Sequence, residues 1–368
     1  MKFNFYIPTK VVYGDECVLN NSKLFAQYGK KAIIVTGRNS GKISGALKDV
    51  IKALEKEEIQ YCIFDRIINN PNLDNVWQGK IFAQKEEADF VIAIGGGSPM
   101  DGAKAIAALC TNDIKPINLL DNNLKNTSLD IIAIPTTAGT GSEITPYSIL
   151  TITEKETKRS FSSKYNFPKV AFIDVKYTYT LNDKVTIDTA FDAFSHLLES
   201  YLSKKSTIWS ELFAIEGIKA FAKCIEGIQT KVFTKDIRNN LMYASYMGGL
   251  AIAHTGTTIV HAMGYSLTYF KNLSHGHANA LLLGEYLRFN YNCTKDKINK
   301  VLNILQFDNI DILEQYFLSN IVDKPKINEE EYIKFSKLAY SQNSVKNNCK
   351  KVDEKTIERI YKEVFKHE

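Results

Sequence analysis

Through the first half of the chain, short apolar, β-branched runs alternate with stretches of helical period. The runs fall at residues 31–35, 61–64, 90–94 and 130–134, and the helical stretches at 43–56, 73–85 and 99–109. Apolar strands separated by helices of this length predict βαβ units around a parallel sheet covered on both faces. After Leu181, Asn182 and Asp183, which have loop character, the texture changes. Ile187, Phe191, Phe194, Leu198 and Tyr201 recur every three to four residues, predicting a helix over 187–201 with one buried stripe. Similar stretches cover 208–225, 237–253 and 329–341. The pattern predicts an α/β domain over residues 1–182 and an all-helical domain over 183–368. A cleft between two such domains is a common ligand site.

Composition narrows the class. The net charge of +5 is spread over 368 residues, with no basic block longer than Lys158-Arg159 or Lys350-Lys351, so a nucleic-acid partner is not expected. No stretch approaches the roughly 18 apolar residues of a membrane span, and the opening residues lack the apolar core of a secretory signal. Six scattered cysteines with no C-x-x-C pair predict reduced thiols in a cytoplasm.

The sharpest local motif is Gly95-Gly96-Gly97-Ser98-Pro99-Met100-Asp101, directly after the run 90–94. Glycines let the backbone approach a ligand. Ser98 suits an N-cap, Pro99 the first helical position and Asp101 a capping box. A helix starting there aims free N–H groups at an anion such as a pyrophosphate. This is not the G-x-G-x-x-G motif. A second loop after the run 130–134, Pro135-Thr136-Thr137-Ala138-Gly139-Thr140-Gly141-Ser142-Glu143, offers small hydroxylated residues beside glycines. Where dinucleotide folds place an acid against the ribose 2′-hydroxyl, the run 31–35 is followed by Gly37, Arg38 and Asn39, with Lys42 nearby. The missing acid favours NADP(H) over NAD(H).

Five of the six histidines lie between 196 and 277; the sixth, His367, sits in a charged tail. Asp192 and His196 are four apart on the predicted helix, so they share one face. Alone they read more readily as a buried ion pair than as half of a metal site. His261, in the apolar segment Thr258-Ile259-Val260-His261-Ala262-Met263, and His275, beside Gly276 and His277, shift that balance, because an unpartnered buried imidazole is costly. One Asp with three His suits Fe(II) or Zn(II) and leaves positions open. His254 and His277 read as supporting residues.

Together these segments resemble the iron-containing (group III) alcohol dehydrogenases, which share their fold with glycerol dehydrogenase and, more distantly, dehydroquinate synthase. The resemblance runs from Phe5-Tyr6-Ile7-Pro8-Thr9 through both loops to the His261 and His275 segments. It implies a dehydroquinate synthase-like α/β N-terminal domain with a parallel sheet and an all-α C-terminal domain. It also implies a metal, Fe(II) with Zn(II) as the alternative, on Asp192, His196, His261 and His275. The cofactor loops become Gly96, Gly97 and Ser98 with Thr136, Thr137 and Thr140; Asn70 borders the cofactor, and Lys158 lies near the nicotinamide ribose. Gly37 stands where NAD-preferring members carry Asp, which again points to NADP(H). A homodimer is implied too. The chain departs from the family pattern at Tyr265, where many members have a histidine proposed to pass protons. It departs also at Ser274 for Pro, and at Ala190-Phe191-Asp192-Ala193 for G-V-D-A.

The implied activity is a metal-dependent NAD(P)H oxidoreductase that interconverts small primary alcohols or diols and aldehydes by hydride transfer. His261 and His275 serve as catalytic ligands, and Tyr265 and His277 are the candidates for the proton route. A glycerol-dehydrogenase-like polyol dehydrogenase using zinc is the alternative. A dehydroquinate-synthase-like lyase needs a cluster of Lys and Arg, whereas residues 261–279 are apolar and aromatic (Met263, Tyr265, Leu267, Tyr269, Phe270). A non-catalytic nucleotide-binding protein would be signalled by loss of a ligand, and all four are present.

Overall fold

The computed structural model describes residues 3–121, 124–321 and 323–366, so His367 lies outside the described residues. The chain forms two compact units. One comprises Ile7–Thr137 with Gly141–Leu181; the other comprises the chain from Asn182 onward, with Ala138–Thr140 and the N-terminal residues up to Tyr6.

The first unit is built on a six-stranded sheet. Its strands are β1 (Lys10–Tyr13), β2 (Lys31–Gly37), β3 (Gln60–Ile67), β4 (Phe90–Gly95) and β5 (Asp130–Pro135), with Val170–Ile173 as the last; the hairpin β6 (Tyr147–Ile152) and β7 (Thr157–Ser162) precedes it, making that last strand β8. The order is β1-β8-β5-β4-β2-β3, and every pairing in this sheet is parallel. Alternate residues of the central strands face opposite cores. Ile33, Val35, Val91, Ala93, Ile131 and Ala133 pack on one side; Ala32, Ile34, Ile92, Ile94, Ile132 and Ile134 pack on the other. Two-sided burial is why these strands read as unbroken apolar runs.

The helix Leu73–Lys85 spans the residues expected of it, and Gly97–Thr111 extends its predicted stretch by two residues at each end. From β2 the chain crosses to the edge strand β3, then returns past β2 to β4 and moves on to β5. The strand order thus reverses beside β4, which is where open α/β sheets bind ligands at their carboxyl ends. The strands β1 and β8 and the hairpin were not expected from sequence.

The second unit is helical. Its central element, Asp183–Leu202, has Asn182 as N-cap, with the side chain accepting the Val185 N–H at 2.9 Å, and is buried along almost its whole length. Phe191 and Phe194 pack against Phe221 and Phe317, at ring separations of 4.7 Å for Phe194–Phe221 and 5.1 Å for Phe191–Phe317. The predicted stretch 208–225 ends at Ala222 and restarts as a short helix, Ile225–Thr230. The predicted stretches 237–253 and 329–341 form Lys235–Thr255 and Glu329–Tyr340, and the unit also contains the helices Ile259–Phe270, His275–Leu305, Ile310–Asn320 and Glu354–Phe365.

Candidate active site

In the helical unit, Asp183–Leu202 presents Asp192, His196 and Glu199 from successive turns, all buried. His261 lies in the first turn of Ile259–Phe270, and His275 opens His275–Leu305. Ligand atoms of Asp192, His261 and His275 all lie within 4.8 Å of one another. Asp192 Oδ1 is 3.6 Å from His261 Nε2 and 3.9 Å from His275 Nε2. An ion about 2.1 Å from each atom spans separations up to about 4.2 Å, which covers both Asp192 pairs.

The structure places the fourth expected ligand, His196, beside this trio rather than within it. Its ring stacks on His261 at 4.4 Å between centroids. Its Nδ1 is buried with no hydrogen-bond partner among the described residues. An orphaned buried nitrogen is costly, and a donor set of one carboxylate and three imidazoles fits a divalent ion.

Burial alone raises the Asp192 carboxyl, but the facing imidazoles of His196, His275 and His261 hold it well below the usual carboxylate range. Burial pushes His196 down to about 4. For His261 burial is outweighed by the carboxylates of Glu199 and Asp192, which raise it to about 9. An ion entering there displaces a proton.

Two buried residues that sequence reasoning missed complete the surroundings. Asn279 Nδ2 donates to Asp192 Oδ1 at 3.0 Å and Ser195 Oγ at 3.2 Å, and lies 3.3 Å from His261 Nε2. Glu199 meets His261 Nδ1 with one carboxylate oxygen. Its other oxygen, Oε1, accepts from Thr258 N at 2.8 Å, Thr258 Oγ1 at 2.6 Å, Val260 N at 3.0 Å and His261 N at 3.5 Å. The available signal for Glu199 was its spacing, since it continues the helical face of Asp192 and His196.

Of the proton-route candidates, Tyr265 stacks on His275 at 5.5 Å. His277 is tied elsewhere, with Nε2 2.7 Å from the Asp323 carbonyl, and burial lowers its pKa. The structure therefore gives His277 a structural contact rather than a place in the cluster. His254 is likewise structural, stacked on Phe5 at 4.8 Å with Nδ1 bonded to Leu250 O.

The His275-Gly276 pair has a steric origin. A Cβ on Gly276 would sit 1.6 Å from the Asp188 carbonyl oxygen and 3.0 Å from Asp192 N. Only glycine lets His275–Leu305 begin this close to the helix that carries Asp192.

In the α/β unit, the glycine loop follows β4, with Gly95 at φ +146°. The helix starts at Gly97 with Gly96 as N-cap and no side-chain cap, leaving its first N–H groups to a ligand. This corrects the expected capping by Ser98 and Asp101. Ser98 Oγ instead accepts the Asn70 N–H at 3.1 Å, a bond from a distant loop. Asp101 accepts from Ser142 Oγ at 3.1 Å, and burial pushes its carboxyl up to about 6. Asn70 sits at φ +56°; its side-chain oxygen accepts from Lys158 Nζ at 2.9 Å and its carbonyl from Thr151 Oγ1 at 2.9 Å.

A Cβ on Gly96 would come within 2.9 Å of Thr137 Oγ1, so the two loops are in contact. Thr136 is buried, and Thr140 belongs with the helical unit. Fully buried Lys104 ties the second loop and the hairpin to the helix Gly97–Thr111, donating to Ser142 O and Oγ, both at 2.7 Å, and to Tyr147 O at 2.8 Å. At the end of β2, Gly37 is followed by exposed Arg38 and Asn39, while Lys42 is paired with Asp65 at 2.8 Å. Lys42 is thus not the free cation it looked from sequence.

A parallel α/β sheet with an open helix N-terminus at its strand-order reversal, joined in one chain to a helical unit carrying a His/Asp cluster, defines a metal-dependent nicotinamide oxidoreductase. Residues 8–175 match the family model "Iron-containing alcohol dehydrogenase", and residues 186–365 match "Fe-containing alcohol dehydrogenase family, C-terminal". The chain belongs to the iron-containing alcohol dehydrogenase family and is an alcohol dehydrogenase of that family, acting between alcohols and aldehydes. The zinc polyol alternative gives way to this assignment.

Alcohol dehydrogenase 4 of Schizosaccharomyces pombe is 34% identical over 78% of this chain and 68% of its own. The 1,3-propanediol dehydrogenase of Klebsiella pneumoniae is 29% identical over 98% of this chain and 97% of its own. The crystal structure of an iron-containing alcohol dehydrogenase from Thermotoga maritima is 35% identical, covers 99% of both chains and superposes with a TM-score of 0.92. Among the described residues no helix is long and apolar enough to cross a membrane.

Proposed function

We propose that the chain is an Fe(II)-dependent, NADP(H)-preferring cytoplasmic homodimer that interconverts small primary alcohols or diols and their aldehydes. The observation carrying this reading is the convergence of Asp192, His261 and His275 within 4.8 Å, next to the unpartnered His196 Nδ1.

Asp192, His196, His261 and His275 are the residues that would hold the ion, which supplies Lewis acidity toward a substrate oxygen. Its sibling requirement, a nicotinamide, supplies or accepts hydride. The chain's own part is binding and alignment. Gly96, Gly97 and Ser98 offer the helix N-terminus to the pyrophosphate, and Thr136, Thr137 and Thr140 add small hydroxylated contacts. Asp101 and Lys104 brace those loops from behind. Lys158, steadied by Asn70, would hold the ribose of the nicotinamide half. Gly37, Arg38 and Asn39 would receive the adenosine ribose; with Lys42 held by Asp65, recognition of a 2′-phosphate would rest on Arg38. Tyr265, stacked on His275, is the residue assigned to the proton route, where the loss of the family's histidine leaves a phenol.

The test is oxidation of NADPH and NADH with a panel of short-chain aldehydes, by protein stripped of metal and reloaded without oxygen with Fe(II) or Zn(II). The proposal expects turnover only after reloading, faster with Fe(II), and a preference for NADPH. Full turnover by stripped protein overturns the metal reading, and a preference for NADH overturns the role of Arg38.

A further inference from the structure

Glu199 touches neither the trio's shared space nor any expected cofactor residue, yet it is fully buried with both oxygens engaged. Oε1 faces four donors: the Thr258 N–H and O–H, and the N–H groups of Val260 and His261. Its other oxygen faces His261 Nδ1. A carboxylate held by four donors accepts only, so the hydrogen on the His261 ring is drawn to Nδ1. Nε2, the atom 3.6 Å from Asp192 Oδ1, is then the nitrogen left to meet an ion, which displaces any proton there on binding.

Asn279 packs on the opposite side of the ring. Its amide nitrogen must face Asp192, because an amide oxygen there would repel the carboxylate. That same nitrogen lies 3.3 Å from His261 Nε2, with its two hydrogens given to Asp192 Oδ1 and Ser195 Oγ, so the amide rests against the ring edge opposite Glu199.

We infer that Glu199 is a positioning residue that fixes the tautomer and orientation of His261, thereby setting the affinity of the proposed centre for its ion. The inference rests on the metal reading above. Such carboxylates behind a ligating imidazole orient the ring and raise its basicity, and their loss typically weakens metal binding about 10–100-fold.

The substitution E199Q isolates this role because it keeps shape and length. The amide oxygen must take the side of the four donors, which turns the NH2 toward His261 Nδ1. Two donors cannot face each other, so the ring hydrogen moves to Nε2 and blocks the atom that the ion needs.

The experiment measures the Zn(II) dissociation constant by chelator competition for wild type, E199Q, H261A and the double variant, with melting of each metal-free protein beside it. The expected result is about a 10–100-fold weaker Zn(II) affinity for E199Q, with metal-free melting close to wild type. In the H261A background, E199Q should change affinity no further. Wild-type affinity in E199Q, or an equal loss with and without His261, overturns the inference. Should E199Q not fold, E199D, which keeps the charge but draws it back from Nδ1, goes through the same cycle with the same criteria. If wild type itself binds no Zn(II) or Fe(II), the metal reading fails, and that outcome is distinct from the other two.

Discussion

Replacing Gly276 with alanine puts the closest helix contact of the site under direct strain. The new methyl would lie 1.6 Å from Asp188 O, 2.6 Å from Asp188 C and 3.0 Å from Asp192 N. A carbon rests no closer than about 3.3 Å to a carbonyl oxygen, so the start of His275–Leu305 must retreat by about 1.7 Å. The obstacle is backbone, and no side-chain rotation relieves it. Overpacking costs about 1–3 kcal/mol, and a backbone clash belongs at the upper end. For units of this size that lowers Tm by roughly 5–10 °C.

The retreat also carries His275 away from Asp192. Metal sites tolerate distance errors of about 0.2 Å, so the centre loses a ligand, and the affinity loss should exceed the ~10–100-fold typical of a residue behind a ligand. Chelator competition with Zn(II), together with thermal melting, reads both effects, and binding of NADPH to the α/β unit should be unchanged. Wild-type affinity and Tm in G276A would refute the steric argument.

Further outcomes are expected elsewhere. Asp192→Asn and His275→Ala should abolish turnover and weaken metal binding while NADPH still quenches protein fluorescence as in wild type. Gly96→Val should weaken NADPH binding at least ~10-fold through its clash with Thr137, leaving Zn(II) affinity intact. Arg38→Ala should raise KM for NADPH and leave KM for NADH alone, so an equal effect on both would remove Arg38 from cofactor choice. Lys104→Met strands the Ser142 and Tyr147 acceptors and the neighbouring Asp101, and should destabilise the α/β unit by about 3–5 kcal/mol in denaturant melts.

The parallel sheet core was legible because two-sided burial writes β2, β4 and β5 as continuous apolar runs. The strands β1 and β8 were not, since each has four residues and depends on pairing with distant strands, β1 with β8 (Lys10 opposite Val170) and β8 also with β5. The Asp192–His196 spacing was legible as one helical face, and the cost of a buried imidazole pointed to His261 and His275 as partners, but only family resemblance joined the four, because nothing local brings residues 261 and 275 to residue 192. Ser98 and Asp101 were misread as caps for the opposite reason. The local pattern was right for a cap, but a hydroxyl and a carboxylate were taken by Asn70 and Ser142, both distant in sequence. Beyond its spacing, nothing local sets Glu199 apart from other helix glutamates; only the approach of Thr258 and His261 gives it a role. Asp65 similarly withdrew Lys42 from the cofactor argument through a contact between β3 and the segment after β2.

The side chains of Asp192 and His261 are each 3% exposed, whereas that of His275 is 24% exposed. Of these three side chains, His275 is the one that water reaches. A chelator drawing on the proposed ion meets that imidazole first, so the rate of stripping should answer to changes beside His275 more than to changes around Asp192 or His261, which are closed to solvent.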